Sequence, residues 1–109
     1  MMRDYIEIKK ELIPYSFNIE LLGSIARLEI KYNKKHDFFT VSLGKNGVIV
    51  CESEPIVYGM PLFGDVPISK KNPLPNIVPY DESGHENTVT FENLNNTVYL
   101  VLDNTGDML

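Results

Sequence analysis

The sequence predicts an all-β protein, a single antiparallel β-sandwich or barrel of about seven or eight short strands with a long proline-rich loop. Apolar residues recur at every second position in several segments, which places them on one face of a strand. Turn-forming pairs such as Asn46-Gly47 separate these segments. No segment has the apolar spacing of an amphipathic helix. Together these patterns favour antiparallel sheets joined by tight turns.

The composition sets limits on the class of protein. A length of 109 residues fits one domain, 1–109, which can bury a core without disulfides. The formal net charge is −5 and the basic clusters are short lysine pairs, which argues against a nucleic-acid-binding surface. The single cysteine, Cys51, is expected to be a buried, inert thiol. No segment resembles a signal peptide or a membrane span, so we expect a soluble chain that begins near its natural start.

The first half of the chain predicts a four-strand meander over residues 15–52, preceded by a short strand within Asp4–Lys9. Tyr15–Leu21 alternates most cleanly, because its apolar residues fall on one face and Ser16, Asn18 and Glu20 on the other. A charged outer face is typical of an antiparallel sheet that meets water on one side. The four predicted strands are Tyr15–Leu21, Ala26–Tyr32, Phe38–Leu43 and Val48–Cys51.

Residues 54–80 are predicted to be irregular. Prolines and glycines interrupt the apolar stretch Glu54–Val66, EPIVYGMPLFGDV, and prevent a long helix or a central strand. Five prolines make the region from Pro61 to Pro79 stiff and extended. This region is therefore predicted to be a long loop that runs across the sheet or away from it. We expect Tyr58 and Phe63 to pack in the core, and the proline-rich loop to contact a partner.

The C-terminal part predicts a strand pair over residues 88–102 and a polar tail over 103–109. Thr88–Glu92 has the alternation of a strand. Thr97–Leu102 is apolar on both faces beyond its start, which indicates a central or sandwiched strand. The turn between them is expected at Asn93–Asn96.

One acidic turn is a weak candidate for a metal site. It lacks the spacing of a calcium-binding loop, and one histidine among carboxylates is not a zinc signature, so a solvated turn is the better interpretation. Its potential ligands are Asp81, Glu82, His85 and Glu86. A small ligand-binding β module, for a glycan or a cation, is nevertheless the alternative function that the residues leave open.

Catalytic patterns give no stronger candidate. His36 lies beside Asp37 but follows no recognisable nucleophile elbow. Residues 44–47 lack the glycine spacing of a phosphate-binding loop. Glu52 and Glu54 share a predicted strand face, yet nothing marks them as an acid–base pair. The sequence therefore predicts a protein that is not an enzyme, with no catalytic residue, no metal site and no cofactor.

Four segments of the chain resemble one known family. Its most specific patterns here are VYG-x-PLF, at Val57–Phe63, and VT-[FW]-EN, at Val89–Asn93. These patterns resemble the baseplate plug proteins of contractile-tail phages and of tailocins, the phage-tail-like bacteriocins. The resemblance extends from about Tyr15 to Val101. The chain differs from the family pattern at Met60, where a basic residue is typical. The four segments are Phe38–Val41, Glu54–Phe63, Val78–Asp81 with Gly84, and Asn87–Leu94.

The resemblance implies a structural subunit of a baseplate, close to the central hub and tail tube, that helps to plug or line the axial channel. It implies as partners the hub and the tail-tube or tube-initiator proteins, or further copies of the chain in a ring, with no nucleic-acid specificity and no membrane. It also implies assembly in the bacterial host cytoplasm, into a virion tail or a released tail-like particle. The residues that carry the family signature are Tyr58, Gly59, Pro61, Leu62, Phe63, Pro79, Phe91, Glu92 and Asn93.

Overall fold

The computed structural model describes residues 4–21, 24–63 and 76–103, and these contain seven strands in two antiparallel sheets. The all-β prediction is confirmed. The two sheets do not close into a barrel, so the arrangement is the sandwich-like one of the two predicted alternatives. A short 3-10 helix, Lys10–Leu12, joins the first two strands. The strands are β1 (Tyr5–Ile6), β2 (Tyr15–Leu21), β3 (Ser24–Asn33), β4 (Phe38–Lys45), β5 (Val48–Pro55), β6 (Asn76–Tyr80) and β7 (Tyr99–Asp103).

The larger sheet is a meander with the strand order β2-β3-β4-β5. Its register pairs apolar positions across neighbouring strands, with Leu28 opposite both Phe17 and Leu43. This pairing puts the alternating apolar residues of three strands on one face. The fourth strand, β5, is less regular, because its pairing with β4 shifts twice and Ser53 has a positive φ of 52°.

The smaller sheet has the order β1-β7-β6, so β7 is its central strand. Leu100 and Val101 are neighbours in β7 and point to opposite faces, yet both are fully buried. The sheet is therefore covered on both faces at β7, as the apolar pattern of residues 97–102 predicts.

One hydrophobic cluster joins the facing surfaces of the two sheets. Ile30, Phe39 and Val41 line the inner face of the meander. Ile77 and Leu100 contribute from the smaller sheet to the same cluster. The shared cluster shows that the two sheets pack through their apolar faces, as in a β-sandwich.

Two predictions in the second half of the chain are wrong. Thr88–Glu92 forms turns and no strand, so residues 88–102 are not a strand pair, and β7 pairs with β1 and β6 instead. The physical reason lies in side chains that bond to nearby backbone, because Thr90 and Asn93 exchange such hydrogen bonds in place of a ladder. Residues 76–80, predicted as part of the irregular segment, form β6.

Several predicted features lie outside the described residues. These are the proline-rich stretch 64–75, with Pro67, Pro73 and Pro75, the turn at Gly23 and the tail beyond Asp103. In the ranges that are described, no helix has the length and apolar character needed to cross a membrane.

Candidate interaction surface

The signature segment (Ile56–Phe63) runs beside β6 and covers the edge of that strand. The Gly59 N–H donates to the Pro79 carbonyl, and the Leu62 N–H donates to the Ile77 carbonyl, each at 2.8 Å. At its start the Ile56 N–H donates to the Phe39 carbonyl at 2.9 Å. The segment therefore bonds to the meander at one end and to the smaller sheet along its length. A proline is tolerated in β6 because edge strands can accommodate a residue without an N–H.

The two sides of the signature segment differ sharply in exposure. Ile56, Leu62 and Phe63 are buried in the shared core. Val57 and Met60, in contrast, are 50% and 59% exposed. They flank a turn in which the Met60 N–H donates to the Val57 carbonyl at 3.1 Å. The family signature thus anchors a turn in the core and presents two apolar side chains to the outside.

Gly59 is required in this turn by its backbone conformation. Its φ is +74°, a region that L-residues rarely adopt. A Cβ built on Gly59 would meet no atom within 4 Å, so lack of space is not the reason for glycine.

Glu54 has a structural role at the other end of the segment. Phe63 adopts a φ of +61°, and its N–H donates to the Glu54 carboxylate. Glu54 is partly buried, whereas Glu52 is exposed. The positive φ of Ser53 interrupts the strand alternation between the two glutamates. The structure therefore gives Glu54 a backbone partner and does not place the two carboxylates in equivalent surroundings.

Tyr58 connects the signature segment to the acidic turn. Its ring stacks on Tyr80 with centroids 5.9 Å apart. Its hydroxyl accepts a hydrogen bond from the Asp81 N–H at 3.2 Å. Because the side chain is half-buried and bonded in this way, Tyr58 holds the end of β6 against the turn that follows.

The Asp81 carboxylate organises the acidic turn. It is buried and accepts four hydrogen bonds, from the Ser83 hydroxyl and from the N–H groups of Ser83, His85 and Glu86. The Ser83 hydroxyl and these N–H groups hold the pKa of Asp81 below its ordinary value. An ionised carboxylate has about four acceptor positions, and all of them are occupied here. Asp81 is therefore not available to a cation.

The remaining ligand candidates do not form a site either. Among the described residues, no three His, Cys, Asp or Glu side chains lie close enough to hold a metal ion. His85 Nδ1 lies 3.0 Å from Ser83 Oγ, which donates to Asp81 at 2.6 Å. In a hydrolytic triad the imidazole contacts both the serine and the carboxylate, whereas here the serine lies between them. These contacts stabilise the turn.

Asn93 is the centre of the loop that contains the second family pattern. It is only 7% exposed, and its side-chain oxygen accepts from the Thr90 N–H at 2.8 Å. Its side-chain nitrogen donates to the Thr88 carbonyl at 2.9 Å and to the Glu86 carboxylate at 3.2 Å. Its own carbonyl accepts from the N–H groups of residues 96, 97 and 98. The asparagine of this pattern thus determines the path of the loop.

Phe91 attaches this loop to the turn between β3 and β4. Its N–H donates to Asp37 Oδ1 at 2.9 Å, and the Tyr32 hydroxyl donates to the same oxygen at 2.7 Å. Its ring packs against Tyr32 and Phe39, with the Lys10 ammonium 5.1 Å from its centroid. The Tyr32 hydroxyl and the Phe91 N–H lower the pKa of Asp37, and the hydrogen bond to Asp37 raises the pKa of Tyr32.

Sequence reasoning misses this cluster of Lys10, Tyr32, Asp37 and Phe91. Asp37 and Phe91 are 54 positions apart, so no local pattern connects them. The sequence offers one signal for this cluster, the aromatic residue Phe91 in the pattern VTFEN. In the structure Phe91 is 40% exposed despite its ring contacts. His36, in the same turn, is exposed, and its N–H donates to the Asn33 side chain at 3.1 Å.

The nine signature residues fall into two groups. Residues 58–63 and Pro79 meet at the edge of β6, whereas residues 91–93 lie in the loop beside the turn between β3 and β4. Leu62, Phe63, Pro79 and Asn93 are buried; Tyr58 and Pro61 are half-buried; Gly59, Phe91 and Glu92 are exposed. The two groups thus consist mainly of residues that fold the chain, with a few exposed positions at their tips.

A second exposed apolar area lies on the outer face of the meander. Ile25 and Ile49 are each 67% exposed. They border a shallow groove of about 510 Å³ that passes Gly44, where the absence of a side chain lowers the sheet surface. Arg27 and Glu52 contribute charge to its rim. The described surface therefore offers at least two apolar areas to partners.

Comparison with known proteins identifies the family. Residues 3–105 match the profile of the family described as the plug gp18 of the cyanophage baseplate Pam3. The chain belongs to this family. No curated protein and no solved structure gives a significant match. The resemblance seen in the sequence is confirmed, and the chain is a phage baseplate plug protein of a structural family.

Proposed function

We propose that this plug protein is located at the centre of the baseplate, next to the hub and the tail tube, where it plugs or lines the axial channel. The observation that carries the proposal is the match to a baseplate plug family over residues 3–105, nearly the whole chain. The role is assembly, with no catalytic step. Assembly takes place in the bacterial host cytoplasm, and the product is a tail component.

The exposed turn of the signature segment supports a contact role. Val57 and Met60 are held outward by a turn whose flanks are fixed in the core, so little backbone conformational entropy is lost when they dock. Methionine is one of the residue types that are enriched in protein interfaces. We therefore assign this turn to the contact with the hub or the tube.

The test uses particles assembled with a tagged chain in the host. Cross-linking of purified particles, followed by mass spectrometry, is expected to join the chain to hub and tube proteins. Cross-links confined to sheath or outer baseplate proteins would contradict the central location. Absence of the chain from purified particles would contradict the assembly role itself.

A double variant tests the turn. Val57→Ser with Met60→Ser is expected to leave the chain folded and to reduce its incorporation into particles. The matched control is Leu12→Ser, which removes a similarly exposed apolar side chain that belongs to neither of the two apolar areas. Equal incorporation of the double variant and the control would show that the turn is not the contact.

A further inference from the structure

The four outer strands of the two sheets differ in how their free edges are protected. The edge of β6 is covered by the signature segment. The edge strand β1 has only two residues. The edge strand β5 has two register shifts, a positive φ at Ser53 and a terminal Pro55. Short length, bulges, proline and covering segments are the devices by which natural sheets avoid unwanted pairing.

The remaining edge strand, β2, has none of these devices. It has seven residues, contains neither proline nor lysine, and pairs with β3 in an unbroken register from Tyr15 to Leu21. Within residues 4–21, 24–63 and 76–103, no other strand pairs with its second edge. An edge of this kind presents unpaired N–H and C=O groups to another strand.

The apolar side chains of β2 are also incompletely covered. Tyr15, Phe17 and Ile19 point to the core but are only partly buried, whereas Ala26, Leu28 and Ile30 of the adjacent strand are at most 1% exposed. The rings of Tyr15 and Phe17 stack with centroids 5.3 Å apart, which fixes their orientation. The open backbone edge therefore coincides with an open border of the core.

The sequence of β2 is complementary to itself in the antiparallel direction. When two copies pair about Asn18, Phe17 comes opposite Ile19 of the partner subunit, and Ser16 comes opposite Glu20 of the partner subunit. Aromatic residues pair well with β-branched ones across strands, and no like charges meet in this register. The same patch on both subunits is what a twofold interface requires.

We infer that β2 is a self-association edge, through which two copies of this chain join their meanders into one continuous eight-stranded sheet. The pairing completes the hydrogen bonding of both edges and covers the apolar row of Tyr15, Phe17 and Ile19. This inference does not depend on the baseplate role, because it concerns the free chain.

The experiment introduces a charge at residue 18, where the two β2 strands cross the twofold axis of the proposed dimer. Sedimentation velocity on the full chain, over a wide concentration range, measures dimerisation. Wild type is expected to be a reversible dimer. Asn18→Asp and Asn18→Lys each place two like charges opposite one another, and each is expected to raise the dimer dissociation constant by about tenfold or more. An equimolar mixture of the two variants is expected to restore the dimer.

The design separates folding from association. Asn18 is exposed and lies opposite Arg27 in β3, so the aspartate variant keeps a favourable partner within its own chain. Circular dichroism checks the fold, and Asn87→Asp with Asn87→Lys is a matched control pair at an exposed loop position.

Three results would overturn the inference. Wild type could remain monomeric at every concentration, or both variants could dimerise as wild type does, or the mixture could fail to dimerise. If wild type is monomeric but the Asn18 variants fail to enter particles, the edge serves a strand of another baseplate protein and not a second copy.

Discussion

At the scale of single residues, two polar side chains fix the conformation of the loops in the second half of the chain. Asn93 and Asp81 are both buried, and each is surrounded by backbone groups of its own loop. Buried polar groups are costly unless every hydrogen bond is made, so such residues specify one loop conformation. This explains why Thr88–Glu92, whose alternation predicts a strand, becomes part of a compact loop.

Replacement of Asn93 tests its central position. Asn93→Ala removes bonds to three groups, including the Thr90 N–H and the Thr88 carbonyl, and is expected to lower the free energy of unfolding by about 1–3 kcal/mol. Urea unfolding followed by circular dichroism measures the change. Asn87→Ala, at an exposed position, is the control and should be nearly neutral. Equal effects of the two substitutions would contradict the assignment.

Acid sensitivity tests Asp81. The folded-state pKa of Asp81 lies below the ordinary value of 3.8. The ionised carboxylate therefore contributes its full stabilisation at pH values well above 3.8, and this stabilisation is lost as the pH falls through the folded-state pKa. Asp37 has a shift in the same direction and adds to the loss. We expect Asp81→Asn to be less stable at neutral pH, because an amide donor faces backbone N–H groups, and to lose less stability on acidification. Unfolding curves for both proteins at several pH values measure this difference, and parallel acid profiles would contradict it.

At the scale of the element, the signature segment combines three functions in eight residues. It closes the edge of β6, fills the core with Leu62 and Phe63, and presents Val57 and Met60 to solvent. Its two positive-φ residues, Gly59 and Phe63, lie at the two ends of the stretch that bonds to β6. The prolines and glycines that exclude regular structure in the sequence are therefore what allow the segment to follow a strand edge.

A pair of glycine substitutions tests this view of the turn. Gly59→Ala forces a side chain into a φ of +74° and is expected to destabilise the chain by about 1–2 kcal/mol. Gly44→Ala is the control, because its backbone is ordinary and a Cβ there would lie 3.5 Å from the Val48 carbonyl oxygen, a normal contact. Thermal unfolding of both variants gives the comparison. If Gly59→Ala left the unfolding temperature unchanged while Gly44→Ala lowered it, the conformational requirement for glycine at position 59 would be contradicted.

At the scale of the whole molecule, the fold depends on the shared core between the sheets. Phe39 has no exposed surface, and its ring contacts both Tyr32 and Phe91. It therefore joins the meander to the C-terminal loop as well as filling the centre of the sandwich. Apart from Phe63, the other buried members of the core are aliphatic, and they come from both sheets and from the segments that connect the strands.

Truncation of Phe39 tests this dependence. Phe39→Ala is expected to cost about 3–5 kcal/mol, a large part of the 5–15 kcal/mol that typically stabilises a small protein. Phe39→Leu, which leaves a smaller void, should cost less. Chemical denaturation of wild type and both variants provides the free energies. A loss of under about 1 kcal/mol for the alanine variant would contradict a central role.

The sequence predicts the meander well because its information is local. Alternation in β2 and β3 and the turn Asn46-Gly47 each depend on neighbouring residues only. The sequence does not predict β6, because Pro79 lacks an N–H group and proline is rare inside strands. In the structure β6 lies at the edge of its sheet, and the signature segment bonds to the carbonyl of Pro79 and not to an N–H group. The cluster around Asp37 and Phe91 depends on contacts between distant parts of the chain, which no periodicity can show.

The path of the signature segment has a mechanical consequence. One hydrogen-bonded path for a force that separates the two sheets runs from the Phe39 carbonyl through Ile56 to the bonds that Gly59 and Leu62 make with β6. When the load runs along β6, those two bonds resist it together; when the load is perpendicular to the strand, they break one after the other. The sandwich should therefore resist shear better than peeling, and a tail that loads its plug along β6 would exploit the stronger direction.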